Sequence, residues 1–469
     1  MSTLGRDDAL ELAAAGCDAA LAAGASEAEA VISMEDSGLT RYAGNRIHQH
    51  VAEVNAEVRV RAACGSRVAV ASGNQLTPEA ISQVARRAAE MAALSPADPY
   101  FSGLPDPPTR QYAAQTTFYE STATLDPTRR AETVRDIVGL LAGAGAMGFG
   151  VVTNGVAELA VANSHGLRAY QAFTDAFLSV IAHRPENAPP QAGAERVASG
   201  YATSCHRDWT EVDPEWACLH ALAKATPGPR RSLAPGRYTV VLEEEAVAEM
   251  LMFFSWGALD GLNWLEGRSL YSEKLGQKLY PTCITLRDDP TDPRGANVSF
   301  DFEGVPKTVT TLINEGTVED VAWDTATAAR AGRPSTAHAL PAPNTYGPMP
   351  MNLVLAPGES SRQDLISQVQ RGILISRFHY VNDIDAARTI LTGMTRDGTF
   401  LIENGEVVAP LRDLRWVESI DSILRHTVAV GNSLKLVSEG PGYGLRFLTG
   451  SLVPPLLVDG FEVTGSKEE

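Results

Sequence analysis

The stretch VVLEEEAVAEMLMFF, Val240 to Phe254, changes its periodicity partway along. Val240, Val241 and Leu242 read as the end of an apolar strand. Val247, Met250, Leu251 and Phe254 then recur at i, i+3, i+4 and i+7, which predicts a helix with one buried stripe. A strand that runs straight into a helix is a joint of a fold that mixes the two elements. Between the two stand Glu243, Glu244 and Glu245. In a cap or first turn the helix dipole favours negative charge by about 0.3–1 kcal/mol, so a solvated helix start accounts for the cluster by itself. Glu245 and Glu249 lie one turn apart, and that like-charge pair is unfavourable by about 0.2–0.5 kcal/mol on an exposed face.

Upstream, KATPGPRRSLAPGRY, Lys224 to Tyr238, gathers prolines and glycines without apolar periodicity and marks a domain boundary. The expected division is 1–225 and 226–469. In the first part, Leu10, Leu12, Ala13, Cys17, Ala20 and Leu21 predict a helix from Arg6 to Ala23. Strands with a Gly44-Asn45 turn follow, Val58, Val60 and Ala62 facing one way and Glu57, Arg59 and Arg61 the other. AISQVARRAAEMAAL predicts an amphipathic helix with Ile81, Val84, Ala88 and Met91 on its stripe. A loop with five prolines spans Pro96 to Pro108. Beyond it come a helix near Arg130 to Ala142 and strands near Gly150 to Ala162 and Ala169 to Ala182, joined by NSHG at Asn163 to Gly166. HRPENAPPQAGAERVASG is irregular. Past the boundary the chain reads as short strands and turns, apart from the acidic helix and one near Gln363 to Arg371. The fold class is therefore α+β: an N-terminal domain of antiparallel sheet with flanking helices, then a mainly antiparallel β domain.

Composition narrows the function classes. A hydrophobic share of 44% with 20% charged residues is that of a globular chain, and 469 residues exceed one ordinary core. The net charge of −18 argues against nucleic acid, which needs a basic surface. No apolar run is long enough for a transmembrane helix, and the acidic, amphipathic N-terminus is unlike a signal peptide. Five scattered cysteines fit a reducing compartment, so a cytoplasmic location is expected.

Motifs for chemistry are sparse. A zinc peptidase helix needs two imidazoles on one face and a glutamate to activate water, and no His-Glu-x-x-His occurs. Cys205, His206, Cys218 and His220 are close in sequence, but their spacing fits no closed zinc module, and Cys218 and His220 point to different sides of a helix. There is no Gly-x-Ser-x-Gly and no phosphate-binding loop, and GPGYG, beginning at Gly440, has no helix after it. RGILISRFHYVNDIDAARTILTGMTRDGTFLIENGEVVAP, Arg371 to Pro410, is rich in polar groups between strand-like segments. Arg377, His379, Tyr380, Asn382, Arg396 and Asp397 could line a cleft, or form the solvated side of a long hairpin.

Five stretches together resemble the TldD/PmbA family, the "modulator of DNA gyrase" peptidases. TRYAGNRIHQ is similar to its N-terminal signature and ANSHGL to its mid-domain turn. LAPGRYTVVLEEEAVAEML, and RGILISRFHYVN with GTFLIENGEVVAP, are similar to its C-terminal signatures. The resemblance implies a heterodimeric metallopeptidase that trims peptides. One subunit type carries His-Glu-x-x-x-His on the helix after the strand, with a distant cysteine as a further zinc ligand; the other, TldE/PmbA-like, lacks the metal residues. Here EEAVAE takes the motif's place. Glu244 and Glu249 stand where the histidines would be, Glu245 where the general base would be, and no cysteine follows Cys283. Carboxylates alone suit Mg²⁺ or Ca²⁺ better than zinc, so no metal and no cofactor are expected.

Two functions are compatible with this. The first is a zinc-free subunit that pairs with a TldD-like zinc peptidase, or with itself, around a peptide or small amide. The second is a stand-alone, zinc-independent enzyme acting on an amide or C–N bond in natural-product biosynthesis. In it Glu245 and His379 would act as catalytic groups, and Glu244, Glu249, Arg377, Tyr380, Asn382 and Arg396 would bind substrate. Neither involves nucleic acid or a membrane.

Overall fold

The computed structural model describes residues 3–185, 197–295, 298–438, 440, 446 and 449–466. The irregular stretch after Pro185 and most of GPGYG lie outside the described residues. Strands β1 (Glu27–Ala43), β2 (Arg46–Cys64), β3 (Arg67–Gly73), β4 (Met147–Asn163), β5 (Arg168–Pro185) and β6 (Val197–His206) form one antiparallel sheet in the order β3-β2-β1-β4-β5-β6. Gly44 and Asn45 join β1 to β2 with φ of 57° and 62°, the left-handed pair that a two-residue hairpin of this twist requires. Asn45 also ties the turn to the next strand. Its Oδ1 accepts from Gly148 N at 2.6 Å and its Nδ2 donates to Ala146 O at 3.0 Å.

One face of this sheet is covered by helices, in keeping with its alternation. Helices α1 (Arg6–Ala22) and α2 (Pro78–Leu94) cover Ala30, Ile32, Val58 and Val60. A single turn, α3 (Glu120–Ala123), precedes α4 (Pro127–Gly143), which with α5 (Pro214–Lys224) covers Val152, Leu178 and Val180. The α2 stripe differs from expectation: Ile81, Ala85, Ala88, Ala89 and Ala92 face inward, and Met91 is 42% exposed. In α1, likewise, Ala9 and Ala13 are buried while Leu21 faces out. The two helices meet through alanines, which let them approach closely and turn the larger side chains outward.

The second half contributes β7 (Gly236–Leu242), helix α6 (Glu244–Gly257), β8 (Leu286–Asp288), β9 (Thr310–Asn314), β10 (Thr317–Val318), β11 (Leu353–Leu355), β12 (Arg371–Asp385) and β13 (Ile390–Glu403). Then come β14 (Glu406–Pro410), β15 (Leu414–Ser419), β16 (Thr427–Val430), β17 (Lys435–Val437), β18 (Ser451–Val453) and β19 (Leu456–Ser466). One sheet runs β10-β9-β8-β11-β18-β17. The other runs β12-β7-β19-β15-β13-β14, and because β12 also pairs with β13 it closes into a ring. Most pairings are antiparallel; β7 with β12 and β11 with β18 are parallel. The expected helix from Gln363 is shorter than the sequence suggests. It spans Arg362–Ser367, and Arg371 already begins β12, because Gly372 onward pairs with β7. Short helices at Gly261–Leu265, Thr325–Ala331 and Ile420–Arg425 also lie in this mainly β half.

The two halves share a core. Phe300 and Phe302 pack on Val31, Leu159, Val161 and Phe173, on the sheet face opposite the helices. The family of antiparallel sheets with flanking helices is the expected α+β class.

Candidate functional site

The acidic stretch sits where the halves meet. β7 ends at Leu242, Glu243 takes the N-cap position of α6, and the predicted stripe of Val247, Met250, Leu251 and Phe254 is fully buried. A solvated helix start is ruled out. Glu243 is 3% and Glu245 7% exposed, because α5, β6 and the β17 segment close over the helix start. Each buried carboxylate has a cation. Glu243 pairs with Lys224 Nζ at 3.0 Å and with the guanidinium of Arg362. Glu245 Oε1 accepts from Lys435 Nζ at 2.7 Å, and that ammonium lies 4.8 Å from the Trp216 ring centroid.

These pairings set the ionisation of the cluster. Burial by itself raises the Glu243 carboxyl, but Lys224 and Arg362 outweigh it and pull the group down to about 2. Burial likewise opposes the charge on Glu245, and Lys435 and Lys224 bring it below the ordinary carboxylate value. Glu244 moves the other way, raised by burial and then by the charge on Glu243. Lys224 is raised, since Glu243 and Glu245 more than offset its desolvation.

Two adjoining cavities share Glu245 and Thr203. One, of about 680 Å³, holds Glu244, Lys224, Lys435, Trp216 and Cys205. The other, of about 650 Å³, is lined by Glu249, Met252, Trp256, Met349, Met351 and Arg377. Glu245, Glu249, Met252 and Trp256 are spaced i, i+4, i+7 and i+11, so α6 turns a second face to this cleft, opposite its core stripe. The sequence pattern carried that second face; nothing local pointed to Lys224, Arg362 or Lys435 as its counter-ions.

The polar set on β12 and β13 is divided. Arg377 reaches the cleft, ion-paired with Asp397 and stacked 3.9 Å over Tyr201. His379 does not line it. Its Nε2 accepts from the guanidinium of Arg396, and burial, Arg396 and Arg377 all lower its pKa, so the ring is neutral with its basic lone pair engaged. Tyr380 is 75% exposed at φ 53°, and Asn382 is exposed beside it, donating to Tyr380 O at 3.0 Å. The structure thus brings Glu245, Glu249 and Arg377 to one cleft, places Glu244 in the adjoining cavity, and leaves His379, Arg396, Tyr380 and Asn382 on the hairpin.

Among the described residues, no three His, Cys, Asp or Glu side chains are placed to hold a metal. His220 stacks on Trp216 with centroids 3.9 Å apart, while Cys218 is buried on the other side of α5. Burial pushes the Cys205 thiol up to about 12, and its Sγ lies 3.5 Å from Leu436 O. A zinc ion does not fit the donors on α6. They are carboxylates, and Glu245 already faces an ammonium where a metal would otherwise supply the positive charge.

Residues 235–465 match the model of the PmbA/TldA metallopeptidase C-terminal domain. A protein named "Metalloprotease" from Methanothermobacter thermautotrophicus is 27% identical over 237 residues, 50% of this chain and 49% of that protein. "Metalloprotease PmbA" of Escherichia coli O157:H7 is 24% identical over 285 residues, 59% of this chain and 58% of that one. The chain thus spans about half the length of the curated relatives it matches. In fold it is similar to TldE from Thermococcus kodakarensis (TM-score 0.82, 20% identity, 94% of this chain and 97% of that one). A crystal structure of a "putative modulator of a DNA gyrase" from Thermotoga maritima also matches (TM-score 0.82, 19% identity, 97% and 99%). With the order of its signatures, the strand-to-helix joint at Leu242–Glu244 and these matches, the chain is a member of the TldD/PmbA family.

Proposed function

We propose that this chain is the zinc-free, TldE-type member of a two-chain peptidase. It pairs with a TldD-like zinc-bearing chain and supplies one wall of the space in which a peptide is held. The observation that carries this reading is the Glu245–Lys435 ion pair. On the helix to which the family resemblance assigns the zinc motif, the would-be base faces a lysine ammonium, and no imidazole stands at 244 or 249. Without a metal, nothing on α6 lowers the pKa of a water toward neutrality. The peptide part of the reading is supported by the edge strand β17, which ends its sheet and borders both cavities, the kind of element to which an extended chain adds.

The test is co-expression with a zinc-bearing homologue encoded in the same genome, followed by size-exclusion chromatography, metal analysis and hydrolysis of an unstructured peptide. A stable complex with zinc in the partner alone, active only when both chains are present, is expected. Stoichiometric zinc in the isolated chain, or failure to pair, overturns the proposal. The stand-alone enzyme draws less support, since His379 is held by Arg396 away from the cleft that contains Glu245.

A further inference from the structure

Three methionines line the cleft of about 650 Å³: Met252 from α6, and Met349 and Met351 from the segment before β11. Leu353 and Val437 extend this apolar wall, and Trp256 stands at its rim, 51% exposed. Unbranched thioethers adapt to side chains of differing shape, which suits a pocket that takes several large apolar residues. The opposite wall is polar and mixed. The carboxylates of Glu245 and Glu249 disfavour a phosphate or nucleotide, while Arg377 and the hydroxyls of Thr203 and Ser438 add donors and acceptors. Such a mixture matches an uncharged amide backbone.

The methionine segment is held in place by a buried charge. Met351 N and Asn352 N each donate to Asp288 Oδ2 at 2.8 Å, Asn352 Nδ2 donates to Oδ1 at 3.2 Å, and Met349 N donates to His338 O at 3.0 Å. Asp288 is wholly buried, with Lys307 Nζ at 3.5 Å and His338 Nε2 at 3.4 Å. A charge taken out of water is expensive, and this one is directed at two consecutive amides of the cleft wall.

We infer that the Met252–Met349–Met351 wall is a side-chain pocket selecting peptides with a large aliphatic or aromatic residue, and that Asp288 is the positioning residue that holds it. The inference rests on the peptide reading proposed above.

Fluorescein-labelled octapeptides, identical except for one central Gly, Ser, Leu, Met, Phe or Glu, test it by anisotropy on the full chain alone and on the two-chain complex. The Leu, Met and Phe peptides are expected to bind roughly tenfold tighter than the Gly peptide, the discrimination a hydrophobic pocket provides. Met252→Ser and Met351→Ser should shrink that ratio to about threefold or less. Asp288→Asn should shrink it too, weakening the Leu, Met and Phe peptides more than the Gly peptide, a pattern that general destabilisation does not produce. If Asp288→Asn does not fold, Met252→Ser still decides, because its side chain borders the cleft. Equal binding of Gly and Leu peptides, an unchanged ratio in the methionine variants, or no peptide binding by chain or complex overturns the inference. A chain that never pairs yet discriminates the peptides refutes the two-chain reading and keeps the pocket; an active complex without discrimination does the reverse.

Discussion

Glu245 and Lys435 are separated by 190 positions, and their ion pair is the contact that distinguishes this site from a metal site. Removing one partner of a buried pair strands the other charge. Lys435→Met is therefore expected to lower stability by roughly 2–4 kcal/mol, somewhat under the usual loss because Lys435 retains some solvent. Urea denaturation measures it, and Glu245→Gln added to Lys435→Met should recover most of the loss. An additive double variant would show that the pair is not the cause. Glu243 makes a pH-dependent contribution. Its carboxyl sits at about 2 in the folded chain, against an ordinary 4.5. The unfolded chain therefore binds the proton first, and the stabilisation is full above about pH 4.5 and lost as pH falls toward 2. Glu243→Gln should lower the urea midpoint at pH 7 and flatten its decline between pH 4.5 and 3. An unchanged acid limb would assign acid sensitivity to other groups.

At the scale of single elements, the hairpin β1–β2 depends on one side chain. Asn45 adopts the left-handed conformation and makes two hydrogen bonds to the β4 end of the sheet. Asn45→Ala is expected to cost about 2 kcal/mol, from two lost hydrogen bonds and the strained φ; a melting curve indistinguishable from the parent would contradict this. Helix α6 depends on its core stripe, where Phe254 meets Tyr271 edge-on at 5.8 Å. Phe254→Ala should cost about 3–5 kcal/mol by opening a cavity. Both elements were readable, one from a Gly-Asn pair between alternating runs and the other from its i, i+3, i+4, i+7 pattern. The α2 stripe was misplaced because the pattern ranks Met91 as more apolar than Ala85 or Ala92. Close helix approach rewards the small residue instead. Arg371 read as helical because its strand identity comes from pairing with Glu403 on β13, which no local window contains.

Across the whole molecule the halves are joined by charge as well as by Phe300 and Phe302. Arg61 bridges Glu29 at 2.8 Å and Glu303 at 3.2 Å, so one cation serves two buried carboxylates. Burial outweighs Arg61 at Glu29 and pushes that carboxyl up to about 7. Asp260 is pushed up to about 7 as well, by burial. Between about pH 4.5 and 7 these folded-state groups keep protons that the unfolded chain has released, so raising the pH favours unfolding. The melting temperature should accordingly fall as pH rises from 5.5 to 8, and Glu29→Gln should reduce the slope. A melting temperature that climbs over this range would refute that account.

Much of the architecture lay in the order of residues. The alternation of Val58, Val60 and Ala62, the α6 stripe, the Gly44-Asn45 turn and the family signatures are all local patterns, and the periods of strand and helix write them directly into the chain. The site was legible only in part. The acidic positions on α6 could be named, but their surroundings could not, since burial and charge pairing depend on which distant segments arrive beside them. Packing of α5, β6 and β17 over the helix start changed Glu243 and Glu245 from a solvated cap into buried, ion-paired groups. The same packing turned Arg377 into the cleft and left His379 with Arg396 on the hairpin. A short polar side chain reads alike in sequence whether water or a lysine faces it, and that choice belongs to the tertiary structure.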